Sequence, residues 1–182
     1  RCADGRLYGL DTKRNRHPID SPNPKVYLPI GNCLMGHIDS TNAMALAWMN
    51  SAGVHQMIGY TVPTWFGYAG WGCLDYFVEQ PGRYTFTEAF FANHHALVYC
   101  LENDVGNQRG LQFDRDAVAF YGDPAWEVRR PPAKIDWDVQ LQETDGAFTL
   151  TITPNRDGRW DKYPVMFFWP ERLEKITLRH GA

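Results

Sequence analysis

Long apolar runs and blocks of like charge are both missing from this sequence. The longest apolar stretch, residues 89–99, is interrupted by Asn93, His94 and His95 and is far shorter than the roughly 20 residues that a membrane span needs. The net charge is -3 and the pI is about 6.1, without an extended basic or acidic block. We therefore expect no membrane span, and no nucleic acid among the partners.

Cysteine is also scarce, with four residues: Cys2, Cys33, Cys73 and Cys100. Their wide spacing excludes a disulfide framework and a CxxC zinc site. Because no cluster of ligating residues has metal-binding spacing, we expect no metal site. Cys73 and Cys100 lie in apolar and aromatic stretches, which favours packed thiols. Cys33 is the one cysteine whose surroundings suggest chemistry.

What the sequence does contain is enough apolar residue for a folded core, since 44% of its 182 residues are hydrophobic. Residues 1–24 are polar and rich in turn formers, which predicts loops or a short hairpin. Residues 26–30 predict a buried strand, residues 43–52 a helix, and residues 53–61 a second strand. Strand, cysteine, helix and strand in this order indicate a parallel crossover unit.

The ends of the helix at 43–52 also have signals in the sequence. Asp39, Ser40 or Thr41 is expected to cap its first turn, and Gly53 to end it.

The crossover gives Cys33 a position with chemical meaning. A residue that follows a strand and precedes a helix lies where α/β proteins place their sites, and the positive end of the helix dipole favours a thiolate. Gly31 and Gly36 would let the backbone turn tightly and leave amides facing an oxyanion. The pattern therefore indicates either a nucleophile or a buried structural thiol.

Aromatic residues concentrate in the middle of the chain. Residues 60–71, YTVPTWFGYAGW, predict a loop that either packs on its neighbours or forms the wall of a pocket. Residues 85–102 predict a helix. Its buried face is expected to comprise Phe90, Phe91, Leu97, Val98 and Leu101.

The character of the sequence changes near residue 130. Before it, residues 114–126 predict a short strand that runs into a Gly-Asp-Pro turn. After it, two alternating segments flank Asp145-Gly146 and predict a hairpin, with further strands to follow. We therefore expect an α/β region over residues 1–130 and a small β-rich module over 131–182.

Three segments taken together, VYLPIGNC, GVHQMIGYTVPTWFG and AFYGDPAW, resemble the second half of the catalytic region of gingipain-type cysteine peptidases. The resemblance covers about residues 26–130. It implies a caspase-like α/β fold with a partly parallel sheet and flanking helices, followed by a β-sandwich-like module. It also implies a cysteine endopeptidase that needs no cofactor, acts on peptides or proteins, and is a bacterial protein of the cell exterior or envelope.

The resemblance assigns roles to particular residues. Cys33 matches the nucleophile, which forms a thioester with the substrate, and Gly31 and Asn32 of the same motif belong to the substrate-binding site. Trp65 and Phe66 match the aromatic loop of the primary specificity pocket. The turn that closes the peptidase region falls on Gly122, Asp123 and Pro124.

The sequence departs from the family pattern at the catalytic histidine. The family places it in a His-Gly dipeptide upstream of the cysteine, and the one His-Gly here is His180-Gly181. His17 is the candidate within the chain, and His37 is a weaker one. The departure implies that the His-Gly strand lies upstream of Arg1, in a longer enzyme, in another chain of the same precursor or in a homodimer partner.

Two alternatives from other functional classes stay open. The missing dipeptide favours a catalytically inactive, peptidase-like module used for binding or surface attachment. The aromatic residues of 60–77 also suit a carbohydrate-binding surface, because aromatic rings stack on sugars.

Overall fold

The structure is a computed structural model that describes residues 1–29, 34–134, 137–154 and 176–179. In that part of the chain the protein is mixed α/β, with four helices and three small sheets. The strands are β1 Cys2–Ala3, β2 Arg6–Leu10, β3 Arg16–Ile19, β4 Lys25–Tyr27, β5 Val54–Tyr60, β6 Val118–Gly122, β7 Trp137–Thr144, β8 Ala147–Pro154 and β9 Ile176–Arg179. The helices are α1 Met44–Ser51, α2 Tyr68–Phe77, α3 Phe86–Glu102 and α4 Gln108–Ala117.

A mixed sheet of order β4-β5-β6 organises the α/β region. β4 and β5 are parallel and connected through α1, while β6 pairs with β5 in the antiparallel direction. The predicted parallel crossover is therefore confirmed, although β4 ends at Tyr27, before the predicted end at residue 30. β5 is buried along its length except at His55, as expected for a central strand covered on both faces.

The amino-terminal segment forms an antiparallel sheet of β1, β2 and β3, which we call the hairpin sheet. It confirms the prediction of a short hairpin in this polar segment. Leu7 of β2 is buried in a cluster with Ala45 and Ala47 of α1, and its N–H donates to Ser51 Oγ at 2.9 Å. The hairpin sheet therefore packs against α1.

The predicted cap of α1 is wrong. Ala43 occupies the N-cap position, and no side chain accepts a bond there. Asp39, Ser40 and Thr41 precede that position by at least two residues, too far for a capping bond. Asn42, the residue nearest the cap, accepts instead from Gly5 N of the hairpin sheet at 3.0 Å. The end of α1 is as predicted, since Gly53 has a left-handed φ of +70°.

The aromatic stretch and the helix after it differ from prediction in two respects. α2 begins at Tyr68, inside the stretch predicted as a loop. α3 is confirmed, and Thr85 and Glu88 form a reciprocal capping box at its start. Phe91 and Val98 are exposed, because they lie about 100° around the helix from the buried Phe90 and Leu97.

The prediction for residues 114–126 also changes. The strand exists as β6, but the residues before it belong to α4, whose start is capped by Asn107. The helix α4 thus takes the first four residues of the segment, 114–117, and the predicted strand and turn follow it.

The predicted second hairpin is confirmed by β7 and β8, which pair in the antiparallel direction around Asp145 and Gly146. Both turn residues have positive φ, 52° and 72°, as a two-residue type I′ turn requires. β9 adds a third strand to this sheet.

Two clusters of buried side chains meet at β5. Met57 and Val54 join the cluster that includes α1, whereas Ile58 joins a cluster with Cys73 of α2 and Phe86 of α3. Cys73 has no exposed surface, and its burial, with a smaller contribution from Asp75, raises the pKa of its thiol to about 12. The prediction of a packed thiol at this position is confirmed.

Candidate functional site

The candidate site lies at the carboxyl end of β5. Gly31, Asn32 and Cys33 lie outside the described residues, and the nearest described residues are Pro29 on one side and Leu34 on the other. Pro29 is buried and follows β4, whose carboxyl end lies at the same edge of the sheet as that of β5 because the two strands are parallel.

The residues that follow Cys33 form a turn fixed to the end of β5. His37 N donates to Leu34 O at 3.0 Å, and Gly36 N donates to Tyr60 O at 2.9 Å. Tyr121 of β6 donates its hydroxyl hydrogen to Gly36 O. The chain after Cys33 is thus attached to β5 and to β6.

Gly36 and Gly59 bring their backbones into direct contact. A Cβ on Gly36 would lie 2.4 Å from Gly59 O, and a Cβ on Gly59 would lie 2.7 Å from Gly36 N. Real Cβ atoms do not approach backbone this closely, and the neighbouring atoms cannot move aside as a side chain could. Only glycine therefore fits at both positions.

His37 is held at this edge through its ring. Its Nδ1 lies 2.9 Å from Thr61 O, just beyond β5, and the side chain is exposed. A carbonyl oxygen can only accept, so Nδ1 carries the hydrogen and the neutral ring leaves Nε2 as the acceptor. A histidine four residues after Cys33 thus has a defined tautomer at the carboxyl end of the sheet.

His17 has a different environment. It lies on the exposed strand β3, opposite Gly9, with its Nε2 3.2 Å from Asp11 Oδ2. Hydrogen bonds from Asn15 lower the pKa of the Asp11 carboxyl, and hydrogen bonds from His17 and Lys13 lower it to a smaller extent. The described contacts of the His17 ring are therefore made within the hairpin sheet.

The loop after β5 presents Trp65 to solvent. The Trp65 side chain is 93% exposed, whereas Phe66 is half-buried with its ring centroid 6.0 Å from those of both Tyr68 and Phe113. Of the two residues predicted to line a pocket, Trp65 offers its ring to a ligand, and Phe66 anchors the loop to α4.

A buried carboxyl group fixes the same loop from below. Asp114 of α4 has no exposed surface, and it accepts three hydrogen bonds. Tyr60 Oη donates to Oδ2 at 3.0 Å, Thr64 Oγ1 donates to Oδ1 at 2.8 Å, and Ala69 N donates to Oδ2. The carboxyl thus connects the end of β5, the loop and the start of α2. We call residues 34–37 and 59–69 together with Asp114 the β5 edge.

Asp114 and Tyr60 also replace the missing cap of α2. The N-cap residue Gly67 has a left-handed φ of +77° and no side chain that could cap. Ala69 N is satisfied by Asp114 instead, and Gly70 N donates to Tyr60 Oη at 2.9 Å. First-turn N–H groups lack partners within the helix, and an acidic group there interacts well with the helix dipole.

Sequence reasoning missed Asp114, although a signal was present. The buried residues of α4 are Gly110, Leu111, Asp114 and Ala117, at the three- and four-residue spacing of one helix face. Acidic residues are rarely fully buried without partners, so an aspartate within an apolar stripe indicates a polar network.

The Gly-Asp-Pro turn at the end of β6 is held by Gln56 of β5. The Gln56 side-chain amide donates to Asp123 O at 2.6 Å and to Trp126 O at 2.9 Å. Gly122 has a φ of +108°, and a Cβ there would lie 1.9 Å from His55 O. These contacts give the turn a structural role that requires glycine.

A second acidic side chain, that of Asp75 in α2, has a shifted pKa. Burial, together with the charge of Glu79 one turn later, raises the pKa of the Asp75 carboxyl to about 7. Asp75 is thus protonated over much of the range in which Asp11 is ionised.

The part of the chain that the structure describes has neither a candidate metal site nor a helix that could cross a membrane. Within residues 1–29, 34–134, 137–154 and 176–179, no His, Cys, Asp and Glu residues form a group of three or more that could hold a metal. Over the same residues, no helix combines the length and the apolar character that crossing a membrane requires.

Comparison with family models, with curated proteins and with solved structures found no match to this chain.

Proposed function

We propose that this chain belongs to a cysteine endopeptidase with a caspase-like fold, in which Cys33 is the nucleophile and the β5 edge receives the substrate. One observation carries the proposal. The turn that follows Cys33 bonds to Tyr60 at the carboxyl end of β5, and the loop that bears Trp65 is tied to the same residue through Asp114. A nucleophile and an aromatic pocket wall at one edge of a partly parallel sheet fit peptide hydrolysis.

The proposed reaction is acyl transfer. The Cys33 thiolate attacks the carbonyl carbon of the scissile bond and forms a C–S bond, and backbone amides stabilise the oxyanion. A histidine donates a proton to the amine as the C–N bond breaks. Water then hydrolyses the thioester and releases the acid. The resemblance assigns this histidine to an upstream His-Gly strand, and His17 and His37 are the candidates within the chain.

The resemblance also supplies the remaining parts of the proposal. They are a peptide or protein substrate, a β-sandwich-like module after residue 130, a location outside the cell or in its envelope, and either another chain of the same precursor or a homodimer partner.

Labelling by a peptidyl acyloxymethyl ketone tests the nucleophile. The longest natural form of the protein is treated with the probe, and modified cysteines are mapped by mass spectrometry. We expect fast, peptide-dependent labelling at Cys33 that is lost in Cys33→Ala. Cys73 serves as the internal control, since a thiol with a pKa of about 12 stays protonated. Labelling of Cys33 no faster than that of the partly exposed Cys2 would contradict the proposal.

The exposed ring of Trp65 favours one second candidate, a binding module without catalysis. An exposed aromatic side chain can serve peptide or sugar recognition even where Cys33 is inert. In that case Cys33→Ala would keep ligand binding and Trp65→Ala would lose it, as measured by titration with peptides and oligosaccharides.

A further inference from the structure

Trp65 is exposed, yet the residues on both sides of it are tied to the protein. Thr64 is buried and donates to Asp114, and Phe66 packs on α4 while its N–H donates to Thr64 Oγ1 at 3.3 Å. A loop of this composition without such anchors would have many conformations. Here the backbone that bears Trp65 is fixed before any ligand arrives.

Fixing the backbone has a consequence for binding. A ligand that orders a loose loop loses part of its affinity to that ordering, whereas a pre-organised side chain avoids the loss. A tryptophan also has few rotatable bonds, so an anchored backbone leaves its ring little further freedom. A change in the buried network below the loop should therefore alter the affinity for a ligand that the network itself does not contact.

We infer that Asp114 is the positioning residue of the candidate substrate site, holding Trp65 in place through Thr64 while making no contact with substrate itself. The inference rests on the proposed function. Asp114 is fully buried, and both of its carboxyl oxygens are occupied by donors from Tyr60, Thr64 and Ala69. It is therefore unavailable as an acidic partner for a basic substrate side chain.

This assignment predicts how the network affects different substrates. Loss of the network should weaken the binding of peptides by a similar factor, whether the side chain beside the scissile bond is basic, aliphatic or aromatic. A carboxyl that contacted substrate would instead affect the basic peptides alone. The comparison across substrates separates positioning from direct recognition.

Thr64 offers a matched pair of variants for the test. Thr64→Val keeps the shape and removes the hydroxyl, which donates to Asp114 and accepts from Phe66 N, while Thr64→Ser keeps the hydroxyl. Asp114→Asn is the third variant, because its single amide oxygen cannot accept from Thr64 Oγ1 and also from Ala69 N and Tyr60 Oη. The full-length protein is labelled with 5-fluorotryptophan, and its 19F spectrum is assigned with Trp65→Phe, Trp48→Phe and Trp126→Phe.

We expect Thr64→Val and Asp114→Asn to move the Trp65 resonance and leave those of Trp48 and Trp126 in place, with Thr64→Ser matching the wild type. On fluorogenic peptides with Arg, Leu or Phe before the scissile bond, Thr64→Val and Asp114→Asn should raise KM about tenfold for each peptide and leave kcat nearly unchanged, because binding must then order the loop.

Two results would overturn the inference. One is a Trp65 resonance that stays in place in Thr64→Val and Asp114→Asn, or that moves together with those of Trp48 and Trp126. The other is a KM effect confined to the Arg peptide. If no peptide is cleaved by the wild type, the peptidase proposal fails and the 19F spectra alone decide the role of Asp114. If Asp114→Asn does not fold, the Thr64 pair decides it.

Discussion

The hairpin sheet and the β5 edge use similar polar groups at very different depths. In the hairpin sheet, Arg6 and Asp20 form an ion pair at 2.9 Å whose side chains are 56% and 69% exposed. At the β5 edge, the Asp114 carboxyl accepts three hydrogen bonds with no exposed surface. Exposed pairs contribute little to stability, whereas a buried network fixes the geometry of everything attached to it.

The two candidate histidines follow the same division. The ring of His17 contacts a carboxyl of its own hairpin, while the ring of His37 contacts the backbone just beyond β5. Both residues occur in polar, turn-rich sequence, so the sequence does not distinguish them. The difference lies in the tertiary partner, and it places His37 at the edge where the chain after Cys33 is attached.

Replacing the buried carboxyl tests this contrast with the largest expected effect. Asp114→Ala leaves the donors of Tyr60, Thr64 and Ala69 without their acceptor, so we expect a loss of about 4 kcal/mol in the free energy of unfolding. Asp20→Ala in the hairpin sheet should cost no more than about 0.5 kcal/mol. Urea denaturation of both variants measures the difference. Equal midpoints would show that depth does not separate the two regions.

The glycine contact gives the next largest effect. Gly36→Ala would place a Cβ 2.4 Å from Gly59 O, and we expect a loss of about 3 kcal/mol, as overpacking against backbone usually costs. Gly9→Ala on β2 is the matched control, because its nearest atom, His17 O, is 4.0 Å away. Thermal unfolding of the two variants compares them. A Gly36→Ala protein as stable as the control would refute the close contact.

Asp75 and Asp11 should give stability profiles of opposite sign with pH. Burial raises the pKa of Asp75 to about 7, so the folded state keeps a proton that the unfolded state releases near pH 4. Stability from this group therefore falls as pH rises from about 4 to 7. We expect Asp75→Asn to add on the order of 2 kcal/mol at pH 8 and nothing at pH 4.

Asp11 is the control for this pH experiment. Hydrogen bonds lower the pKa of its carboxyl, so its small stabilisation is present above its unfolded pKa and is lost as pH falls through the folded value. Urea midpoints of Asp11→Asn and Asp75→Asn at several pH values measure both slopes. An Asp75→Asn variant with the same pH profile as the wild type would contradict the buried, protonated carboxyl.

The two histidines give the smallest expected effects on stability. His37→Ala removes one exposed hydrogen bond to Thr61 O, which contributes about 0.5 kcal/mol, and His17→Ala should leave the melting temperature unchanged. Differential scanning calorimetry measures both. The same variants carry the probe assay further, because loss of Cys33 labelling in His17→Ala would place the general acid in the hairpin sheet and break the contrast between the regions.

Local signals predicted much of this fold. The crossover of β4, α1 and β5, the span of α3 and the turn at Asp145-Gly146 follow from strand patterning, helix periodicity and turn residues that act over a few positions. α3 has its own start signal in the Thr85 capping box, and α1 has its stop signal at Gly53. Patterns of this kind predict the folded structure because nearby residues determine the backbone conformation.

α2 could not be predicted from its own residues. Its sequence, YAGWGCLDYF, is rich in glycine and aromatic residues, which are weak helix formers. N–H groups of its first turn are satisfied by Tyr60 of β5 and by Asp114 of α4, and Asp114 follows Ala69 by 45 residues. Its glycines serve close packing, since a Cβ on Gly70 would meet Tyr60 Oη at 2.7 Å and one on Gly72 would meet Asn93 Oδ1 at 2.3 Å. Tertiary contacts supply what local propensity lacks.

The candidate site was predictable in outline and not in detail. Trp65 stood out as an aromatic residue in a loop after a strand, and the structure places it in solvent at the β5 edge. That Phe66 would instead anchor the loop depends on Phe113 of α4, a contact between segments that no local pattern reveals.

The contact between Gly36 and Gly59 has a consequence for how the length of the preceding segment can vary among relatives. Tyr27 is paired with Met57, and Gly36 abuts Gly59, so both ends of the segment 28–35 are attached to one strand. Added residues in such a segment cost little stability, about 0.6 kcal/mol for each doubling of its length. They would nevertheless change the number of residues between Cys33 and the two attached ends. Where Cys33 is under selection, insertions and deletions in this segment should therefore be rarer among relatives than their small cost in stability would allow.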